Sequence, residues 1–156
     1  MSRFVIAEQG HPVPIIYPQG SAAPTINSDI VSLKNASHVS ILLAVGAQAG
    51  AFTAKLYEGS DFSDCTTELA GAVYKEETTN SDQLGDRTAV VAASGVAIAA
   101  TNNIFYVFEV DVEDLTEGNT NIQLKLSALD NTTYVMAWAI LSGYAFQGKD
   151  QVTEIA

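Results

Sequence analysis

Two histidines, His11 and His38, and one cysteine, Cys65, are the residues best suited to act as bases or nucleophiles near neutral pH. His11 is followed by Pro12 and Pro14, an extended arm with nothing rigid to position it for chemistry. His38 opens an alternating stretch and reads as a polar strand residue. A Cys–His dyad would require Cys65 to meet His38 across the fold. Cys65 follows a turn-rich segment and reads instead as a small semi-buried residue. No Gly-x-Ser-x-Gly elbow, phosphate loop, dinucleotide fingerprint or zinc-ligand spacing is present. The expectation is a non-enzymatic protein with no catalytic residues, no cofactor and no metal site.

The densest polar group is Glu109, Asp111, Glu113, Asp114 and Glu117. Carboxylates so close in sequence could supply oxygens to calcium or an acid pair for glycoside hydrolysis. The spacing is not that of a calcium loop, because Gly118 comes too late, and these acids read as solvated loop residues. Asn35-Ala36-Ser37 and Asn131-Thr132-Thr133 match the glycosylation triplet but read as turns. Trp138, Tyr134, Tyr144 and Phe146 cluster late in the chain. Exposed, they could stack on sugar rings; the apolar run around Trp138 favours burial in a core or an interface.

The elements that would hold these residues alternate with a period of two, as half-buried strands do. Val39, Ile41, Leu43 and Val45 lie opposite Ser40, Leu42 and Ala44. Phe52, Ala54 and Leu56 alternate with Thr53, Lys55 and Tyr57. Ile104, Tyr106, Phe108, Val110 and Val112 share a face, as do Ile122, Leu124, Leu126 and Ala128. Tyr134 to Leu141 is apolar on both faces, as expected of a central strand covered on each side. Shorter candidates are Ile30–Leu33, Ala89–Ala93 and Val96–Ala99. Turns fall at Gly46–Gly50, Gly59–Asp64, Gly118–Asn121 and Asp130–Asn131, with one helical turn at Glu113–Glu117. No long amphipathic helix occurs. Roughly eight short strands indicate an all-β chain, an antiparallel β-sandwich or jelly-roll-like barrel.

All four prolines, Pro12, Pro14, Pro18 and Pro24, fall near the N-terminus. Proline removes a ladder donor, so residues 1–24 read as an extended N-terminal arm with no core of its own. Residues 25–146 form the β-domain and 147–156 a C-terminal tail. Within the arm, Pro12, Pro14, Ile15, Ile16, Tyr17 and Pro18 are the candidate partner-binding residues. The loop Gly46–Gly50 and the tail are further candidates.

Charge narrows the partners. Among 156 residues, 18 are acidic and 7 basic, a net charge of −11, and the cations form no cluster. Nucleic acid and anionic membranes both require concentrated Lys and Arg, so neither is expected. Charged residues make up 16% of the chain, against about 25% in average domains, which suits a surface that meets other proteins. The uncharged stretch Thr88 to Phe108 is interrupted by Asn102 and Asn103, too polar for a membrane span. Met1 to Gln9 lacks the apolar core of a secretory signal, so no export is expected. The lone Cys65 permits no intrachain disulfide, which suits synthesis in a reducing cytoplasm.

One run has a familiar texture. Ile104-Phe105-Tyr106-Val107-Phe108-Glu109-Val110-Asp111 is followed by Asp114-Leu115, Gly118 and Ile122–Ser127; Ser28–Leu33, His38–Val45 and Phe52–Glu58 precede it, and Tyr134–Gly143 and Tyr144-Ala145 close the order. Over about residues 25–146 this resembles small virion structural proteins of tailed bacteriophages, of the capsid decoration or cement type. The resemblance implies a β-rich protein on the capsid exterior, made in the host bacterial cytoplasm. It would bind the major capsid protein as a homo-oligomer, a dimer or trimer, and stabilise the lattice. A head–tail connector or tail protein, and a carbohydrate- or host-receptor-binding β-module, stay open as alternatives.

Overall fold

A computed structural model describes residues 5–63, 65–77 and 83–144. A short helical turn, α1 (Ile6–Gln9), leads into β1 (Gly10–Gly20), β2 (Thr25–Asn27), β3 (Val31–Ser32), β4 (His38–Val45) and β5 (Phe52–Gly59). Then come β6 (Thr67–Glu68), β7 (Val73–Glu76), β8 (Thr88–Ala89), β9 (Val96–Ile98), β10 (Ile104–Asp111), β11 (Asn121–Ser127) and β12 (Tyr134–Ser142). Sheet one runs β1-β12-β4-β10-β7-β8. Sheet two runs β2-β11-β5-β6, with β3 also on β11 and β9 also on β5. The strands pair antiparallel throughout. Among the described residues the sheets stay separate and open-edged, so the architecture is the sandwich and not a closed barrel.

Side-chain alternation builds the core. One face of β4 (Val39, Ile41, Leu43, Val45) and one of β10 (Ile104, Tyr106, Phe108, Val110) are buried. They meet Phe52, Ala54 and Leu56 of β5 and Ile122, Leu124 and Leu126 of β11. Each large apolar side chain so covered contributes about 1.5–3 kcal/mol. Tyr106 brings a hydroxyl into this core; it donates to Glu76 Oε1 at 2.8 Å and accepts from the Ala99 amide at 3.3 Å. Burial, reinforced by the Glu76 hydrogen bond, raises its pKa well above the ordinary tyrosine value.

Two acids secure the loops. Glu58 is buried at the end of β5, and its carboxylate accepts from the Thr116 amide at 2.8 Å and from the Thr116 hydroxyl. Asp130 accepts from the amides of Ala49 (3.0 Å), Gly50 (2.7 Å) and Thr132 (2.7 Å). Gln48 adds hydrogen bonds to the carbonyls of Ala99 and Thr101. The Gly46–Gly50 loop is therefore tied down from both sides.

The N-terminal arm requires correction. Residues 10–20 are the edge strand β1, paired with β12 from Gly10↔Ser142 to Gly20↔Tyr134. Val13, Ile15 and Ile16 enter the common core, the two isoleucines 3% and 2% exposed. An edge strand needs backbone donors along one side only. Pro12 and Pro14, two residues apart, direct their ring nitrogens to the same side, so the strand keeps its other side for pairing. Register shifts at Pro14/Ile16 and Ile16/Gln19 absorb the irregularity. The stretch is extended, as expected, but it has a core and that core is shared with the domain. The helical turn expected at Glu113–Glu117 lies slightly earlier, as a 3-10 turn at Val112–Asp114, with the Asp111 amide donating to Asp114 Oδ2 at 3.3 Å.

Candidate partner interface

The two outer faces of the sandwich differ in chemistry. On sheet two, the outward residues of β5 and β11 are Thr53, Lys55, Tyr57, Gln123, Lys125 and Ser127, a polar surface. Lys55 pairs with Glu68 at 2.9 Å, and the Lys125 ammonium lies 4.5 Å from the Tyr57 ring centre.

Sheet one presents the opposite. Cross-strand register aligns Pro14, Trp138, Leu42, Val107 and Lys75 in one row over five strands. A second row carries Pro12, Ile140, Ser40, Glu109 and Val73, and a third Met136, Ala44 and Phe105. No described element covers this face: Trp138 is 38% and Tyr134 58% exposed. The burial expected for the run around Trp138 therefore holds for one face of β12 only. Val135, Ala137, Ala139 and Leu141 enter the core, while Tyr134, Met136, Trp138 and Ile140 face outward.

At one end of the same face the β4–β10 pairing sets His38 opposite Asp111 and Ser40 opposite Glu109. His38 Nδ1 lies 2.6 Å from Asp111 Oδ1 and Nε2 lies 2.8 Å from Glu109 Oε2. The Ser40 hydroxyl donates to the same Glu109 oxygen at 2.6 Å. Partial burial works against a charge on the imidazole, but the hydrogen bonds to Asp111 and Glu109, with their negative charges, outweigh it and hold the His38 pKa above its ordinary value.

Serine, histidine and aspartate in this order invite comparison with a nucleophilic triad, and the hydrogen bonding argues against one. While the imidazole is protonated and both ring nitrogens donate to the carboxylates, it has no lone pair left to take a proton from Ser40. The Ser40 oxygen is also 3.4 Å from Nε2, and its proton is already directed at Glu109. The group is a charged clamp between β4 and β10.

The other sequence candidates fall apart spatially. Cys65 is buried just before β6 of sheet two, whereas His38 opens β4 of sheet one. His11 lies on β1, opposite Leu141. Of the five acids, Glu109 and Asp111 hold His38 and Asp114 closes the 3-10 turn; among the described residues no group of three or more His, Cys, Asp or Glu is arranged to hold a metal ion. Of the arm's candidates, Ile15 and Ile16 face the core and are unavailable to a partner, whereas Pro12, Tyr17 and Pro18 are exposed. Phe146 and the 147–156 tail lie outside the described residues. Leu42, Phe105 and Val107 were missed as surface candidates. Their signal was present: the off-core positions of β4, β10 and β12 are apolar too.

No family model matches the chain, and no curated protein does. Among solved structures, it is similar to the crystal structure of the SPBc2 prophage-derived protein YomS, with a TM-score of 0.42 and 11% sequence identity over 85% of this chain and 96% of that one. So remote a likeness assigns no function to the chain.

Proposed function

We propose that this chain is a structural protein of a tailed-phage virion, a capsid decoration or cement protein that lays the outward face of sheet one on the major capsid lattice. The observation that carries the reading is the uncovered apolar row Pro14–Trp138–Leu42–Val107, set against the polar outer face of sheet two. Contiguous apolar surface of this kind is a mark of a protein-binding site. Its partner is the major capsid protein, with neighbouring copies arranged as a dimer or trimer. Many copies on a symmetric lattice turn modest contacts into firm retention. The net charge of −11 suits a position outside the shell, away from packaged DNA. A head–tail connector or tail role would use the same face on a different ring of partners. The test is to mix the purified protein with expanded, undecorated capsids and image it: ordered density on the outer surface supports the reading, and bare capsids at saturating protein contradict it.

A second reading draws on one specific observation. Tyr134 and Trp138, four residues apart on β12, are both exposed on the same face. Aromatic faces so placed can stack on sugar rings, as a carbohydrate- or host-receptor-binding module requires. Glycan-array binding that disappears in Trp138→Ala, with the fold intact, would favour this reading over cementing.

A further inference from the structure

The outward face of sheet one is not flat. In the row Met136–Ala44–Phe105, a small side chain stands between two long ones, leaving a notch over β4. The cavity there measures about 540 Å³, within the range of sites that hold a small ligand or a side-chain anchor. Its walls are largely apolar and include Ile104 and Val135 beside Met136 and Phe105. Tyr134 also lines it and lies between two glycines. A Cβ at Gly20 would come within 3.2 Å of the Tyr134 ring, and one at Gly46 within 3.4 Å of Tyr134 Cβ. Glycine at position 20 lets the ring lie close against the backbone, while the approach at Gly46 is an ordinary contact. Asn103, with φ at +56°, donates its amide to the Gly46 carbonyl at 3.0 Å and fixes the loop at the notch's end.

One charged side chain lines this notch among the described residues: Glu77, just after β7. Its amide is held by the Phe105 carbonyl at 2.8 Å, while its carboxylate has no hydrogen-bond or ion-pair partner among the described residues. An apolar pocket with a single unpaired carboxylate complements a group that is apolar in body and positive at one end. Tryptophan and arginine dominate the anchors of protein interfaces for related reasons.

We infer that the Ala44 notch is the anchor site of this face, and that it receives an aromatic side chain flanked by Lys or Arg on a partner polypeptide, with Glu77 taking the positive charge. This rests on reading the face as a docking surface and names the chemistry of what docks.

Two blocked dipeptides test it by NMR on the full chain: acetyl-Trp-Lys-amide and acetyl-Trp-Glu-amide. The expected result is a saturable shift of the Met136 methyl and Tyr134 ring signals by the lysine peptide, with the glutamate peptide about fivefold weaker or worse, the scale of one partly exposed ion pair. Glu77→Gln should bring the two peptides to within about twofold of each other. Ala44→Phe, filling the notch, should abolish both shifts while the rest of the spectrum is retained. No saturable shift, a preference that survives Glu77→Gln, or binding that survives Ala44→Phe overturns the inference. A chain that passes this test but leaves capsids bare contradicts the virion reading alone, and the reverse outcome contradicts the notch alone.

Discussion

Pro14 of β1 stands directly opposite Trp138 of β12, and both point away from the core. One pairing thus joins the proline-rich segment to the strand that carries the exposed tryptophan. Because β1 is the edge of sheet one, its prolines also present few donors to a further strand. Lateral strand addition is blunted there, which on the proposed reading leaves the face as the route of association.

The same pairing makes β1 part of the folded unit. Ile16→Ala should cost about 2–4 kcal/mol, the range for truncating a large buried aliphatic side chain. Deletion of Met1 to Pro24 should lower Tm and expose the β12 edge, detectable as dye binding and aggregation. An unchanged Tm in the deletion would mean that β1 contributes nothing to the core.

The His38 clamp sets a pH dependence. Its pKa is raised in the folded protein by hydrogen bonds to Asp111 and Glu109. Folded His38 therefore holds its proton more tightly than the unfolded chain does. The stabilisation is fully present below the ordinary histidine value and is lost as pH rises through the raised one. Urea midpoints measured from mildly acidic to mildly alkaline pH should fall for the native chain, and fall less for His38→Gln. Parallel profiles for the two would contradict the clamp.

Asp130 behaves in the opposite sense. Hydrogen bonds from the Thr132 hydroxyl and amide, then from the Ala49 and Gly50 amides, pull its pKa down to about 2. Its contribution is present above the ordinary carboxylate value and is lost as pH falls through the depressed one. NMR titration of its carboxyl should give a midpoint near 2, and Asp130→Ala should speed hydrogen exchange at Ala49 and Gly50. An ordinary midpoint with unchanged exchange would show the loop to be held by other contacts.

Thr116→Val removes the hydroxyl that satisfies one oxygen of the buried Glu58 carboxylate. A buried acceptor left without its partner costs about 1–3 kcal/mol, and denaturant unfolding should show a loss of that order. A neutral effect would mean that Glu58 finds another donor.

Much of this fold was legible as residue pattern. Strict alternation in β4, β5, β10 and β11 marked the core positions, because the side-chain period of a strand leaves little choice of face. The arm was misjudged because proline outweighed Val13, Ile15 and Ile16. Proline bars a strand from the middle of a sheet but not from its edge, and only the pairing shows which applies. The His38 clamp was invisible for a different reason: its partners are more than 70 residues away and are brought close by the β4–β10 register. Trp138 lies in a run apolar on both faces, and a run cannot tell a face covered by its own chain from one left uncovered.

On the proposed function, the outward face of sheet one is the binding surface. Co-sedimentation with undecorated capsids can compare Leu42→Glu on that face with Gln123→Glu on the outer face of sheet two, each of which adds one negative charge to a chain that already carries −11. Binding should be weakened at least about tenfold by Leu42→Glu, the scale of burying an unpaired charge at an interface, and unchanged by Gln123→Glu. Equal losses, or a loss confined to Gln123→Glu, would contradict it.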